Sequence, residues 1–319
     1  MKELLFQYLF PAIQALTIII VAPLMMGWVK QVKSWMQNRK APSVFLPYYS
    51  CYKLLIKKPV LAENASWLFR CVPYFYFSFM VIVCMAIPIF TTQTLAFHFI
   101  DVVVIVGLMA FARILLALAA MDVGTAFGSL GSRREMFVSC LAEPTLLLVF
   151  FNSTLVNHSP YLGQMSAHLI QHAVLHPSLI FSFFALVLIM IAETGRVPID
   201  NPATHLELTM IHESMVLEYS GRYLALIEWS NAIKFTLYLG FIIALFIPTG
   251  LSTFWQVSGL LIGVATSLFK LVIIAAIIGV IESINSKLRI FKVPDYLTIA
   301  FMLAVLSILI SILSAGQFS

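Results

Sequence analysis

Charge is what this chain most lacks. Of its 319 residues, 10% are Asp, Glu, Lys or Arg, 61% are hydrophobic, and the mean hydropathy is +0.99. Soluble domains carry roughly 25% charged residues, so a chain this poor in charge is excluded from that class. Cysteine is scarce as well. Cys51, Cys71, Cys84 and Cys140 have no CxxC spacing, which leaves no framework for an iron–sulfur cluster or structural zinc held by this chain alone. Buried thiols are the reading they support. No Walker loop, no GxGxxG opening a helix and no GxSxG elbow occurs, so phosphate-loop and serine-hydrolase chemistry have no foothold. Alternation every second residue is missing too, which excludes a membrane β-barrel. Repeats and low-complexity tracts are absent, and residues 1–319 read as a single transmembrane domain.

What the chain has is long apolar runs. Eight are long enough to cross a bilayer, which takes about 20 helical residues: 7–29, 71–91, 98–121, 136–156, 174–193, 224–247, 254–281 and 295–315. The fold class is therefore an all-α integral membrane protein of about eight transmembrane helices. The first run exceeds a signal-peptide core and lacks a small-x-small cleavage site, so it is expected to remain as a helix.

Basic residues orient the bundle. Lys30, Lys33, Arg39, Lys40, Lys53, Lys57, Lys58 and Arg70 fall in the first connection, Arg133 and Arg134 in the third, Arg196 and Arg222 in the fifth, and Lys287, Arg289 and Lys292 in the seventh. The even connections have none and the termini only Lys2. Cytoplasmic loops carry the excess of Lys and Arg, which puts 30–70 (basic) and 193–222 (acidic) in the cytoplasm and both termini on the outer, periplasmic side. The net charge of +5 is then a topology signal, with no further support for a nucleic-acid partner.

Ionisable residues in or at the ends of spans are the chemical candidates: Arg113, Asp122, Glu143, Glu193, Glu228, Lys234, Lys270 and Glu282. A charge at mid-bilayer costs about 2.5–3.5 kcal/mol on the lenient insertion scale, so each needs a partner, a water path or a neutral state. Glu282 and Asp122 can reach headgroup water from helix ends. Glu143 lies about two turns into the fourth predicted span, and Lys234 about 9 Å deeper than Glu228 along an ideal helix. His168, His172 and His176 stand four apart on a helical face, a spacing zinc accepts, but no carboxylate, cysteine or basic residue adjoins them and a polar interfacial face explains them better.

One segment departs from the apolar background. Glu193, Asp200, Glu207, Glu213 and Glu218 are five of the fourteen acidic residues, and they fall within 26 positions. Pro198 and Pro202 disfavour helix before them, so the fifth span should end near Glu193, with a helix forming from roughly Ala203 to Glu218. A solvated loop would explain acids cheaply. Yet Leu206, Met210, Ile211, Met215, Val216 and Leu217 make the segment apolar, and carboxylates carried into low dielectric are suited to a proton relay. His205 and His212 add groups that exchange protons near neutral pH.

The motifs AETGRVPIDNP (Ala192 to Pro202) and LEYSGRYLALIEW (Leu217 to Trp229) closely resemble the family of the respiratory complex I membrane subunit that walls the quinone cavity. The likeness is strongest to its relatives in formate hydrogenlyase and hydrogenase-4-type complexes. RKAPS (Arg39 to Ser43), LGSRREMFVSCLAEP (Leu130 to Pro144) and ESINSKLRIFKVPDYL (Glu282 to Leu297) extend the likeness along nearly the whole chain. The resemblance implies a membrane-anchoring subunit in the bacterial inner membrane. It would dock a soluble nickel–iron and iron–sulfur module and couple redox chemistry to proton movement, with no redox centre of its own. Its partners would be hydrogenase-like large and small subunits, iron–sulfur subunits and antiporter-like membrane subunits. The path would comprise Glu143, Glu193, Asp200, Glu207, Glu213, Glu218, Glu228 and Lys234; docking would fall to Lys33, Arg39, Lys40, Lys53, Lys57, Lys58 and Arg196. Ala41, His205 and a longer stretch before EYSG depart from the complex I pattern and favour the hydrogenase group. The alternative is a quinone-binding subunit of an NADH:quinone oxidoreductase-like complex. An independent transporter lacks the repeat or broken-helix pair usual for one.

The orientation has a direct check. Lys57→Cys and Gln164→Cys should react with an impermeant thiol reagent from opposite sides of the membrane; labelling of both from one side contradicts the assignment.

Overall fold

The computed structural model describes residues 2–92, 100–171, 176–200, 211–251 and 257–317. All regular structure among them is helical: α1 Lys2–Met36, α2 Leu46–Ile56, α3 Trp67–Ala86, α4 Val102–Asp122, α5 Ala126–Asn157, α6 Leu162–Gln171, α7 Pro177–Glu193, α8 His212–Val216, α9 Gly221–Phe246, α10 Val257–Ile284 and α11 Val293–Gln317, with a single 3-10 turn at Ile290–Lys292. Seven of these helices are long and apolar enough to cross a membrane: α1, α3, α4, α5, α9, α10 and α11. The fifth expected span, α7, has 17 residues. That gives about 25 Å of helix against a hydrocarbon core of about 30 Å.

Local chemistry sets the helix ends. Ser66 caps α3 by accepting from the Leu68 amide at 3.1 Å, and its own amide donates to Asp122 Oδ2 at 3.0 Å, tying the start of α3 to the end of α4. Asp101 caps α4 through the Val104 amide at 2.8 Å. The short turn after α4 uses Gly124 at φ +74°, and Thr125 then caps α5. Consequently α5 begins ten residues before the expected 136, and Arg133, Arg134 and Glu135 lie on the helix and not in a connection. The charged run SRRE hides a helix start that the Thr cap and the Gly turn together create.

The stop at Glu193 falls where the prolines suggest, but a different residue makes it. Arg196 N donates to Ile191 O at 3.1 Å and Gly195 N to Ala192 O at 3.2 Å, the paired bonds of a Schellman ending, with Gly195 left-handed at φ +59°. A side chain there would also meet the His212 ring at 2.8 Å. Beyond it, the expected helix from Ala203 to Glu218 is described only as the single turn α8; Glu207 and His205 lie outside the described residues.

α9 is the centre of the bundle, with 83% of its spanning window buried, whereas α10 and α11 are 28% buried and present apolar outer faces. α3 packs on α4 and α9, α1 on α9 and α10, and α11 on α5 and α7. At the far end of α9, Lys270 of α10 donates to Ile247 O at 2.8 Å and to Thr249 O, capping carbonyls that the helix leaves open. α8 rests on α5 where Gly131 has no side chain to strike Ser214.

Candidate functional site: a buried ion cluster at the end of α7

Four helices and α8 bring charged groups to one place inside the bundle. At its centre is Arg113 of α4, 5% exposed. Its Nη2 contacts Glu193 Oε2 at the end of α7, its Nη1 lies 3.5 Å from Glu143 Oε1, and its Nε lies 3.7 Å from Glu135 Oε1, both on α5. Nη1 also donates to Ser139 Oγ at 2.7 Å. Lys234 of α9 reaches Glu193 Oε2 at 3.0 Å. His212 of α8 closes the cluster from the segment after α7: Nδ1 is 2.9 Å from Glu135 Oε2, and Nε2 is 3.1 Å from the Glu193 carbonyl.

The ring geometry of His212 constrains where protons sit. Because a carbonyl only accepts, Nε2 must donate to it. Nδ1 then faces the Glu135 carboxylate at 2.9 Å, a separation across which one proton can sit on either group. Charge counting agrees. Glu135, Glu143 and Glu193 against Arg113 and Lys234 leave one negative charge in excess, and a proton on His212 cancels it. Counted in this way, the cluster is neutral with that proton on either His212 or Glu135. Coupled groups of this kind titrate as a set.

Beside the cluster lies a cavity of about 10 Å³ lined by Tyr76, Arg113, Glu135, His212, Asn231 and Lys234 among others. That is room for about one water. Tyr76 donates across it to Asn231 Oδ1 at 2.9 Å.

Two satellites adjoin the cluster beyond the end of α7. Asp200 Oδ2 accepts from the backbone amides of Ile211 at 3.0 Å and His212 at 3.3 Å, while Oδ1 pairs with Lys287 at 3.0 Å. Arg196 and Lys33 both pair with Glu282, at 2.6 and 2.8 Å, and the Arg196 guanidinium lies 3.7 Å above the Phe235 ring.

The sequence-derived set is thus only partly gathered. Glu143, Glu193 and Lys234 share one cluster, and Asp200 adjoins it through His212. Glu213 is half-buried on α8, whereas Glu218 and Glu228 are exposed. Glu228 faces Lys30 and Cys51 of the α1–α2 region, where burial and then the Glu228 carboxylate push the Cys51 thiol up to about 11; Asn231, three residues on, is what turns to the cavity. Of the docking set, Arg39, Lys40, Lys53, Lys57 and Lys58 are exposed. Arg196 and Lys33 are instead committed to Glu282 inside the chain, because a buried carboxylate at a helix end demands cations more strongly than a surface offers them. Glu135 escapes a sequence reading that assigns it to a loop, and Arg113 is visible there only as one of several intramembrane charges. His168 Nδ1 lies 3.2 Å from Asn157 Oδ1, His176 precedes α7, and His172 lies outside the described residues. Among the described residues no group of three or more His, Cys, Asp or Glu is arranged to hold a metal ion.

The sequence pattern of NADH dehydrogenase matches residues 10–313. The chain belongs to the NADH dehydrogenase family. Within that breadth it is similar to formate hydrogenlyase subunit 4 of Escherichia coli (strain K12), at 29% identity over 309 residues covering 96% of this chain and 99% of the relative. Hydrogenase-4 component C of the same organism is 26% identical over 299 residues, 94% of each chain. A chain in the structure of the membrane-bound sulfane sulfur reductase, described as an archaeal respiratory membrane complex, superposes with a TM-score of 0.84 at 15% identity, covering 96% of this chain and 99% of that one. That likeness concerns the fold. For a member of the NADH dehydrogenase family, the cluster at the end of α7 is a feature of these side chains and must be tested on them.

His212 supplies such a test. Burial opposes its charge, but the Glu135 carboxylate and the hydrogen bond to it outweigh burial, and its pKa is raised above the ordinary 6.5. A group whose folded value is raised stabilises below the unfolded value and loses that contribution as pH rises through the folded one. The thermal stability of the assembled complex should therefore decline as pH climbs above 6.5 through the raised value, and His212→Gln should remove that part of the decline. Equal pH profiles for both proteins contradict the shared-proton pair.

Proposed function

We propose that this protein is the membrane-anchoring and proton-pathway subunit of a hydrogenase-type, complex I-related oxidoreductase of the bacterial inner membrane. Curated relatives matched over nearly their full length are a formate hydrogenlyase subunit and a hydrogenase-4 component, which supports that setting. Eight helices then span the membrane, α7 as the shortest, with both termini on the periplasmic side. The exposed Arg39, Lys40, Lys53, Lys57 and Lys58, with Tyr49 and Tyr52 at 62% and 65% exposure, form the platform for hydrogenase-like large and small subunits and their iron–sulfur partners. The nickel–iron centre and the clusters belong to those partners. The apolar outer faces of α10 and α11 suit lipid or antiporter-like subunits.

One observation carries the proton role: Glu193, 1% exposed, is held between Arg113 and Lys234 in a cluster whose charges balance only with one exchangeable proton. Asp200 leads in from the loop, His212 and Glu135 hold the proton, and Glu193 and Glu143 carry it on toward the surface of α5. Glu207, Glu213 and Glu218 would collect protons at the cytoplasmic mouth. Glu228 faces outward and takes a place at the α1–α2 surface. Among the described residues, the cavity at the cluster, about 10 Å³, has room for a water and none for a quinone ring, which favours the proton role over the quinone alternative at this place.

Glu193→Gln keeps the shape and removes the ionisable group. In the complex reconstituted into vesicles, assembly and electron transfer should persist while protons moved per electron fall toward zero. Wild-type coupling in that variant contradicts the proton role.

A further inference from the structure

Arg113 raises a difficulty for any proton that crosses the cluster. Its guanidinium contacts Glu193 and Glu143 together, yet arginine keeps its protons at all biological pH values and cannot pass one on. Transfer between two carboxylates held by such a group needs a neutral atom that accepts and donates at once, which is the property of a hydroxyl.

Tyr238 meets that requirement. It lies on α9 one turn beyond Lys234, on the same face of the helix. Its side chain is 0% exposed and within electrostatic reach of Glu193, Arg113, Glu143 and Tyr76. Among the described residues its hydroxyl makes no hydrogen bond. An unpaired buried hydroxyl is destabilising, so for packing alone phenylalanine would be the better residue. The ring itself packs edge-on against Phe241 at 5.8 Å, and Phe241 packs likewise on Phe150 at 5.3 Å, contacts that a phenyl ring makes equally well. What separates tyrosine from phenylalanine here is the oxygen, a buried hydroxyl left unpaired within electrostatic reach of the ion cluster.

We propose that the Tyr238 hydroxyl carries the proton between Glu193 and Glu143. The inference rests on the proton-pathway reading above. The hydroxyl is unbonded at rest, so the step begins when it moves into hydrogen-bond reach of both carboxylates: the carboxylic acid of Glu193 then gives its proton to the Tyr238 oxygen as the Tyr238 O–H gives its own to the Glu143 carboxylate. One O–H bond forms on the tyrosine oxygen while another breaks, the ring stays neutral throughout, and nothing is oxidised or reduced. Glu193 returns to the carboxylate that Arg113 and Lys234 stabilise. Rotation of the hydroxyl resets the carrier. Exposure gives the transfer a direction in space: the Glu193 side chain is 1% exposed and that of Glu143 26%, so the proton passes from a closed site to the carboxylate through which the cluster reaches the surface of α5.

The test compares Tyr238→Phe with Glu193→Gln in the assembled complex in vesicles, reading protons moved per electron, electron transfer and the amount of complex. Tyr238→Phe should assemble fully and keep electron transfer but lose proton movement as Glu193→Gln does. Normal coupling in Tyr238→Phe alone overturns the carrier and leaves the path standing; normal coupling in both overturns the path as well. If Tyr238→Phe lowers assembly, 3,5-difluorotyrosine at position 238 keeps ring and hydroxyl while making the proton more acidic. A shifted pH profile of proton movement then supports the carrier, and the wild-type profile overturns it.

Discussion

A guanidinium enclosed by a membrane bundle is the constraint from which the inner structure follows. Arg113 sits about halfway along α4, where an unpaired charge would cost about 2.5–3.5 kcal/mol even on the lenient scale. It cannot shed a proton to escape that cost. Carboxylates must therefore come to it, and they come from α5 and from the end of α7. Once Glu193 is enclosed with Arg113, Lys234 of α9 completes its surroundings, and His212 of the following loop completes those of Glu135. Buried pairs are poor sources of stability because desolvation offsets their attraction. That the fold keeps this many of them inside is what the proposed relay would account for.

The turn after α7 connects two such constructions. Glu193 enters the Arg113 cluster and Arg196, three residues later, enters the Glu282 cluster with Lys33, with the left-handed Gly195 between them. Asp200 then fixes the backbone of Ile211 and His212 and reaches Lys287. One short segment is anchored at three points by charge. Any change in the protonation of one cluster alters the electrostatic load on a rigid turn shared with the next.

Much of this was legible in the residues, and the parts that were not have physical reasons. Apolar runs of about 20 residues mark helices because the bilayer sets their length, so all eight expected segments correspond to helices, with α7 the shortest. Glu143, Glu193 and Lys234 stood out because charge within an apolar run needs an explanation. Glu135 did not, since SRRE reads as loop until Thr125 and Gly124 are seen to start α5 early. Glu228 is exposed while Asn231, three residues on and about 60° round the helix, lines the cavity, so the edge of the buried face falls between them, a boundary that spacing alone does not mark. Arg196 and Lys33 look like surface cations in sequence, and only the fold reveals the Glu282 carboxylate that claims them. Pairings between residues so far apart in the chain leave no local trace in composition or spacing.

The central claim, that Arg113 and Glu193 hold each other in the interior, is tested most directly by a double-mutant cycle. Thermal melting of the purified complex would be measured for Arg113→Gln, Glu193→Gln and the pair together. Removing Arg113 alone strands carboxylates and should destabilise by about 3–5 kcal/mol. Removing Glu193 as well should restore a substantial part of that loss, giving a double variant more stable than the sum of the single effects. Effects that simply add would contradict the account.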